Sequence, residues 1–162
     1  IYKELALKDI LTGLYSRNAY DEWERDNQHP DKTAIVMLDL NNLKKCNDRY
    51  GHEAGDTYLK KASEMITNAF SQENTVYRIG GDEFVVWIQN SVSNLDSILQ
   101  VFDATVHDWH GKYSNSISVS YGVVKSSEKS FDSVQEISKL ADERMYQNKK
   151  DYYTTSCNDR RR

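Results

Sequence analysis

Residues 75–88 read Thr75-Val76-Tyr77-Arg78-Ile79-Gly80-Gly81-Asp82-Glu83-Phe84-Val85-Val86-Trp87-Ile88. Two runs rich in β-branched and aromatic residues flank a Gly-Gly pair, and glycine accepts the positive φ that tight hairpin turns require. The stretch therefore predicts a β-hairpin whose turn delivers two carboxylates, Asp82 and Glu83. Upstream, Ala34-Ile35-Val36-Met37-Leu38-Asp39-Leu40 is short, apolar and partly β-branched, as expected of a strand covered on both faces, and it ends at a third carboxylate, Asp39. Between the two lie a polar segment from Asn41 to Asn47, the turn Tyr50-Gly51-His52, and a stretch in which Tyr58, Leu59, Ala62, Met65, Ile66 and Ala69 recur at helical spacing. This predicts two helices parted by a glycine. Leu14 to Asn27, Asn94 to Trp109 and Val134 to Lys149 have helical periodicity, and Ile117 to Val124 alternates like a strand. The β-α-β-β-α-β order predicts an α+β fold: a ferredoxin-like, palm-type antiparallel sheet with helices packed on one face.

The 162 residues, 38% of them hydrophobic, suit a single domain with its own core. No apolar run reaches the roughly 20 residues that cross a bilayer, and the N-terminus lacks the layout of a signal peptide. A net charge of −4 argues against a surface built for a nucleic-acid backbone. Cys46 and Cys157 have no CxxC or CxxH companions, so neither a zinc site nor a disulfide framework is indicated, and a reducing cytoplasm suits them. The chain opens at Ile1 rather than methionine, as expected of a piece of a longer protein, with residues 1–11 as a lead-in and 154–162 as a disordered tail.

In this topology the first core strand can lie beside the hairpin, which would gather Asp39, Asp82 and Glu83. Oxygen ligands without histidine or cysteine favour magnesium over zinc or iron. Adjacent residues of an extended chain face opposite ways, so one of Asp82 and Glu83 is expected to join Asp39 and the other to be free for proton chemistry. Taken alone, Gly80-Gly81-Asp82-Glu83 reads more readily as a polar hairpin turn. Asp56 taken alone reads equally as the N-cap of a helix starting near Thr57, and Lys44 and Lys149 as solvated helix lysines.

The wider context changes these readings. Gly80-Gly81-Asp82-Glu83-Phe84 resembles the signature of the GG(D/E)EF family of diguanylate cyclases. Asp39-Leu40-Asn41-Asn42-Leu43-Lys44-Lys45-Cys46-Asn47-Asp48 resembles its DxDxFKxxND segment, and Gly51-His52-Glu53-Ala54-Gly55-Asp56 its GHxxGD. Asp9-Ile10-Leu11-Thr12-Gly13-Leu14 with Arg17 is similar to DxLTxLxNR, and Ala141-Asp142 through Tyr146 to Lys149 to ADxxxYxxK.

The resemblance implies condensation of two GTP molecules into cyclic di-GMP by a two-fold homodimer, using two magnesium ions per site, with manganese a workable substitute. It makes Asp39, the carbonyl of Leu40 and Asp82 the metal ligands. Asp82 is the acceptor of the 3′-OH proton, with Glu83 in reserve. Asn47 and Asp56 read guanine; Lys44 and Lys149 grip phosphates, and Asn42 and Leu43 complete the substrate-binding set. A carboxylate at Asp56 accepts from guanine's N1–H and exocyclic amine, whereas adenine would set a lone pair against it. It also implies an upstream sensor and a cytoplasmic location, including the cytoplasmic part of a membrane-anchored sensor, with no nucleic-acid or membrane contact by this domain.

The sequence departs from the family pattern in four places. The second aspartate of DxDxFK is Asn41, the phenylalanine is Leu43, and the usual Gly-Arg after Lys149 is Tyr152-Tyr153. The RxxD that binds inhibitory product would begin at Ser71, where the chain reads Ser71-Gln72-Glu73-Asn74, so no inhibitory site is expected. The competing reading is a catalytically silent domain that binds GTP or serves as a dimerising regulatory module. A palm-like polymerase or single-nucleotide cyclase would share the paired carboxylates but not the other four motifs.

Overall fold

The computed structural model describes residues 7–28, 30–70, 75–89, 94–111 and 116–159, the side chains of 156–159 excepted. In chain order they form α1 (Arg17–Asp26), β1 (Thr33–Leu40), α2 (Leu43–Tyr50), α3 (His52–Phe70), β2 (Thr75–Arg78), β3 (Glu83–Gln89), α4 (Leu95–Asp108), β4 (Val119–Lys125) and α5 (Val134–Asp159). The expected β-α-β-β-α-β core is present as one antiparallel sheet in the order β2-β3-β1-β4.

Every residue of β1 is buried, because the strand is central and both its faces are covered. Ala34, Val36, Leu38 and Leu40 pack into a core with Ala62, Met65, Ile66 and Phe70 of α3 and Leu95 and Phe102 of α4. The alternate residues Ile35 and Met37 join Val85 and Val124 in a second core against Ala19 and Tyr20 of α1 and Ile137, Ala141 and Met145 of α5. Helices thus lie on both faces, which corrects the one-face expectation. An unbroken apolar strand has two faces to remove from water, each buried large side chain contributing about 1.5–3 kcal/mol.

Three further expectations change. Gly51, at φ +93°, parts α2 from a helix that begins at His52, so Asp56 stands inside the opening turns of α3 and is not its N-cap. Gly80 and Gly81 do not take positive φ. The connection from Arg78 to Glu83 is longer than a two-residue turn, and the Glu83 side chain folds over Gly80, its Oε2 2.8 Å from where a Cβ would stand. Finally, residues 154–159 continue α5 rather than forming a disordered tail; no glycine or proline interrupts the helix after Val134. Residues 160–162 lie outside the described residues, as do residues 1–6 of the expected lead-in.

Residues 7–11 are tied to the hairpin. Asp9 accepts from the amide and hydroxyl of Thr12 at 2.9 and 2.6 Å, and both its carboxylate oxygens stand 3.1 Å from Arg78 Nη1. Arg78 Nη2 in turn donates to the Gly81 carbonyl at 2.7 Å. One guanidinium thus bolts the hairpin turn to the N-terminal segment. On the opposite flank, β4 meets α5 at Gly122, where a Cβ would stand 2.2 Å from the Ala141 carbonyl oxygen and 2.4 Å from the Met145 nitrogen.

Gly122→Ala should therefore push α5 off the sheet and lower the unfolding free energy by on the order of 1–3 kcal/mol, read as a shifted urea midpoint. Asp9→Ala should cost about 1.5–3 kcal/mol near neutral pH by freeing Arg78. Partial burial alone would raise the Asp9 pKa, but the bonds from Thr12 and Arg78 outweigh it and hold it below the ordinary 3.8. A depressed folded-state pKa stabilises fully above the unfolded value and is lost as pH falls through the folded one. The gap between wild-type and Asp9→Ala urea midpoints should accordingly be constant above about pH 5 and narrow below pH 4; a gap unchanged at pH 3 would contradict the ion pair.

Candidate active site

The end of β1 and the hairpin turn are joined by main chain. Asp39 pairs with Glu83 in the β1–β3 ladder, and the Leu40 amide donates to the Asp82 carbonyl at 2.9 Å. Of the two turn carboxylates, Asp82 is the one that interacts with Asp39. The Glu83 side chain instead folds over Gly80 and faces a groove shared with Arg17 and Asp142. The structure thus separates two residues that sequence adjacency left equivalent.

Asp39 is only 7% exposed. Its Oδ2 stands 3.0 Å from Lys149 Nζ, and the same ammonium donates to the Leu40 carbonyl at 3.2 Å. Its Oδ1 is buried with no hydrogen-bond partner. Burial pushes the Asp39 pKa above the usual carboxylate range; the Asp82 carboxylate adds to the rise, and Lys149 opposes it. A buried carboxylate with one unpartnered oxygen, a second carboxylate beside it and a carbonyl alongside form an all-oxygen donor set that calls for a cation. The Lys149 ammonium already stands between two of its members. Among the described residues no group of three or more His, Cys, Asp or Glu gathers, so the donor set needs the main-chain oxygen of Leu40 beside its two carboxylates. Asp39, Leu40 and Asp82 fit a hard divalent cation.

Beyond Leu40 the chain turns sharply. Asn41 is buried, its amide nitrogen donating to Ser118 Oγ at 3.0 Å and Ser120 Oγ at 2.9 Å, while its carbonyl accepts from the Tyr58 hydroxyl at 3.0 Å. The asparagine that departs from the family pattern is thus part of the bond between β1 and β4 and not a solvent-facing group. Asn42 takes φ +64° as the residue before α2, a left-handed conformation that asparagine tolerates better than most residues. Its amide N–H donates to the Tyr153 hydroxyl at 3.1 Å and its side-chain nitrogen to the Tyr152 hydroxyl at 2.6 Å. Leu43 packs against the core and Lys44 is exposed.

Asn47 packs against Gly55, the residue before Asp56. The Asn47 side chain lies across that glycine, where a Cβ would be 1.6 Å from its Oδ1. Asp56 follows on the exposed side of α3. Asp39, Leu40, Asp82 and Lys149 thus form one cluster, Asn42 opens the adjoining turn, Asn47 lies on Gly55 next to Asp56 in the chain, and Glu83 stands apart. Sequence reasoning passed over Tyr152 and Tyr153 as members of this site. Their spacing from Lys149, three and four residues along a helix, is the signal that would have placed them on its face. Residues 71–74, the position examined for an inhibitory site, lie outside the described residues.

The chain is similar to known proteins along most of its length. Residues 6–153 match the family model described as diguanylate cyclase, GGDEF domain. Diguanylate cyclase DgcS of Shewanella oneidensis is 30% identical over 156 residues, covering 91% of this chain and 52% of that protein. Probable diguanylate cyclase DgcI of Escherichia coli is 34% identical over 147 residues, 90% of this chain and 31% of that protein. The chain thus spans about half or less of the curated relatives it matches over most of its length. The solved GGDEF domain of TpbB (YfiN) from Pseudomonas aeruginosa superposes with a TM-score of 0.73 at 28% identity, covering 89% of each chain. Cyclic di-GMP phosphodiesterase PdeR of Escherichia coli is also similar, 41% identical over 90 residues, 54% of this chain and 14% of that protein. With the signature turn seated between β2 and β3 and the match running across nearly all of its length, the chain belongs to the GGDEF-domain family of diguanylate cyclases.

Proposed function

We propose that this chain is an active diguanylate cyclase domain, joining two GTP molecules into cyclic di-GMP with release of two pyrophosphates. The observation that carries the reading is the convergence of Asp39, the Leu40 carbonyl and Asp82 on one cation-demanding point beside Lys149. Asp39, Leu40 and Asp82 would hold magnesium, two ions per site, with manganese a workable replacement. A cation held there would supply polarisation of the α-phosphate and a lower pKa for the attacking 3′-hydroxyl.

The remaining work falls to the chain itself. Asp82, at the hairpin tip, accepts the 3′-OH proton; Glu83, the reserve, would have to swing away from Gly80 to reach it. Lys149 and Lys44 supply positive charge to the triphosphate. The main-chain N–H groups of Asn42, Leu43 and Lys44 open α2 without intrahelical partners and offer donors to phosphate oxygens. Asn47 and Asp56 read guanine, the carboxylate accepting from N1–H and the exocyclic amine. Each chain carries one such site and the product holds two phosphodiester bonds between two GTPs, so two protomers meet about a two-fold axis. An upstream sensor domain and a cytoplasmic setting complete the proposal, as does product inhibition by competition at the active site alone.

Incubation with GTP and magnesium, followed by mass identification, should yield cyclic di-GMP. Asp39→Asn or Asp82→Asn should lower the rate at least about 100-fold with the circular dichroism spectrum unchanged. GTP binding without product in the unaltered chain would establish the silent regulatory alternative. Turnover of GTP should exceed that of ATP by on the order of 5-fold to 150-fold, the range that about one to three kcal/mol of unpaired hydrogen-bonding groups gives. Asp56→Ala should narrow that ratio while leaving the urea midpoint nearly unmoved; equal use of both nucleotides by the unaltered chain would remove the guanine assignment.

A further inference from the structure

Lys149, Tyr152 and Tyr153 stand at i, i+3 and i+4 on α5 and so share one face of the helix. All three reach the turn after β1. Lys149 Nζ lies 3.0 Å from Asp39 Oδ2 and 3.2 Å from the Leu40 carbonyl. Tyr153 accepts the Asn42 amide N–H at 3.1 Å, and Tyr152 accepts the Asn42 side-chain nitrogen at 2.6 Å. The two rings pack edge to face, 5.2 Å between centroids. The same helix face therefore covers a cation position and a main-chain donor together.

We propose that Tyr152 and Tyr153 set the triphosphate affinity of this site by holding, in the free protein, the donors of Asn42 that a phosphate oxygen takes in the complex. The inference rests on the nucleotide-binding reading above. A tyrosine hydroxyl is a neutral acceptor, while a phosphate oxygen is a charged one whose hydrogen bonds are roughly twice as strong. The ligand wins the exchange but must first break two bonds, which lowers its apparent affinity. Lys149 must likewise leave Asp39 and the Leu40 carbonyl before it pairs with phosphate, but that cost does not depend on the tyrosine hydroxyls. The pair of hydroxyls is thus a built-in competitor at the entrance of α2, located where the family pattern has Gly-Arg.

The test uses Tyr152→Phe/Tyr153→Phe, which keeps both rings and removes both acceptors. Binding is measured by calorimetry in magnesium with two probes, tripolyphosphate and a GTP analogue whose α–β bridge is a methylene. Both should bind about threefold to tenfold more tightly to the double variant, and the Asn42 amide resonance should move in the ligand-free variant. Tripolyphosphate affinity that is unchanged or weaker would overturn the proposal, a weaker value meaning that the hydroxyls donate to phosphate. If tripolyphosphate tightens while neither chain binds the GTP analogue, the tyrosine assignment stands and the nucleotide reading falls. Equal binding of the analogue and of tripolyphosphate by both chains leaves the nucleotide reading standing and removes the role of the tyrosines.

Discussion

The pairing of β1 with β3, running from Thr33 against Gln89 to Asp39 against Glu83, is the constraint on which the rest depends. Side chains alternate across a strand, so a slip of one residue would exchange the faces of β1 and place Asp39 in the apolar core shared with α3. The register is held because both faces of β1 are buried and their two sets of partners differ, small and branched residues against α3 and α4 on one side, Ile35 and Met37 against α1 and α5 on the other. With register fixed, the Leu40 amide meets the Asp82 carbonyl, and the hairpin tip is delivered to the strand end by main chain alone.

That delivery creates an electrostatic debt. Two carboxylates are drawn together at the rim of a core, and one of them, Asp39, is mostly buried. Lys149, 109 residues from Leu40 in sequence, answers it from α5. Its reach depends on how closely that helix approaches β4, which is where Gly122 leaves no room for a methyl group. A backbone contact on one side of the sheet and a charge contact at its end are therefore one arrangement. The unpartnered Oδ1 of Asp39 shows that the lysine answers only part of the demand.

Much of this could be read from the residues. The apolar run of β1, the helical periodicities and the motif order give the topology, and Asp39, Asp82 and Lys149 belong to motifs that the structure brings to one strand end. What could not be read depended on three-dimensional detail. Choosing between Asp82 and Glu83 needs the ladder register and the fold of Glu83 over Gly80. The glycines of the turn read as residues chosen for a positive φ, which neither Gly80 nor Gly81 takes. Asp56 reads as a cap if the helix starts near Thr57, whereas Gly51 breaks the chain and the helix begins at His52. The spacing of Tyr152 and Tyr153 from Lys149 becomes informative only with a helix that continues past Lys149, as α5 does.

The length of α5 gives the site a mechanical character. The helix is gripped at Ala141 and Met145, where it lies against Gly122, and Lys149 projects four to eight residues beyond that grip, about 6–12 Å along the axis. Tilting the rod by about 10° around the grip would carry the ammonium about 1–2 Å sideways, by the same rise per residue. Its contacts of 3.0 and 3.2 Å would then pass out of hydrogen-bonding range. The charge balance at Asp39 is in this sense an angle. Whatever leans on the far turns of α5, from a neighbouring protomer to a fused domain, has a lever whose short arm ends on Asp39.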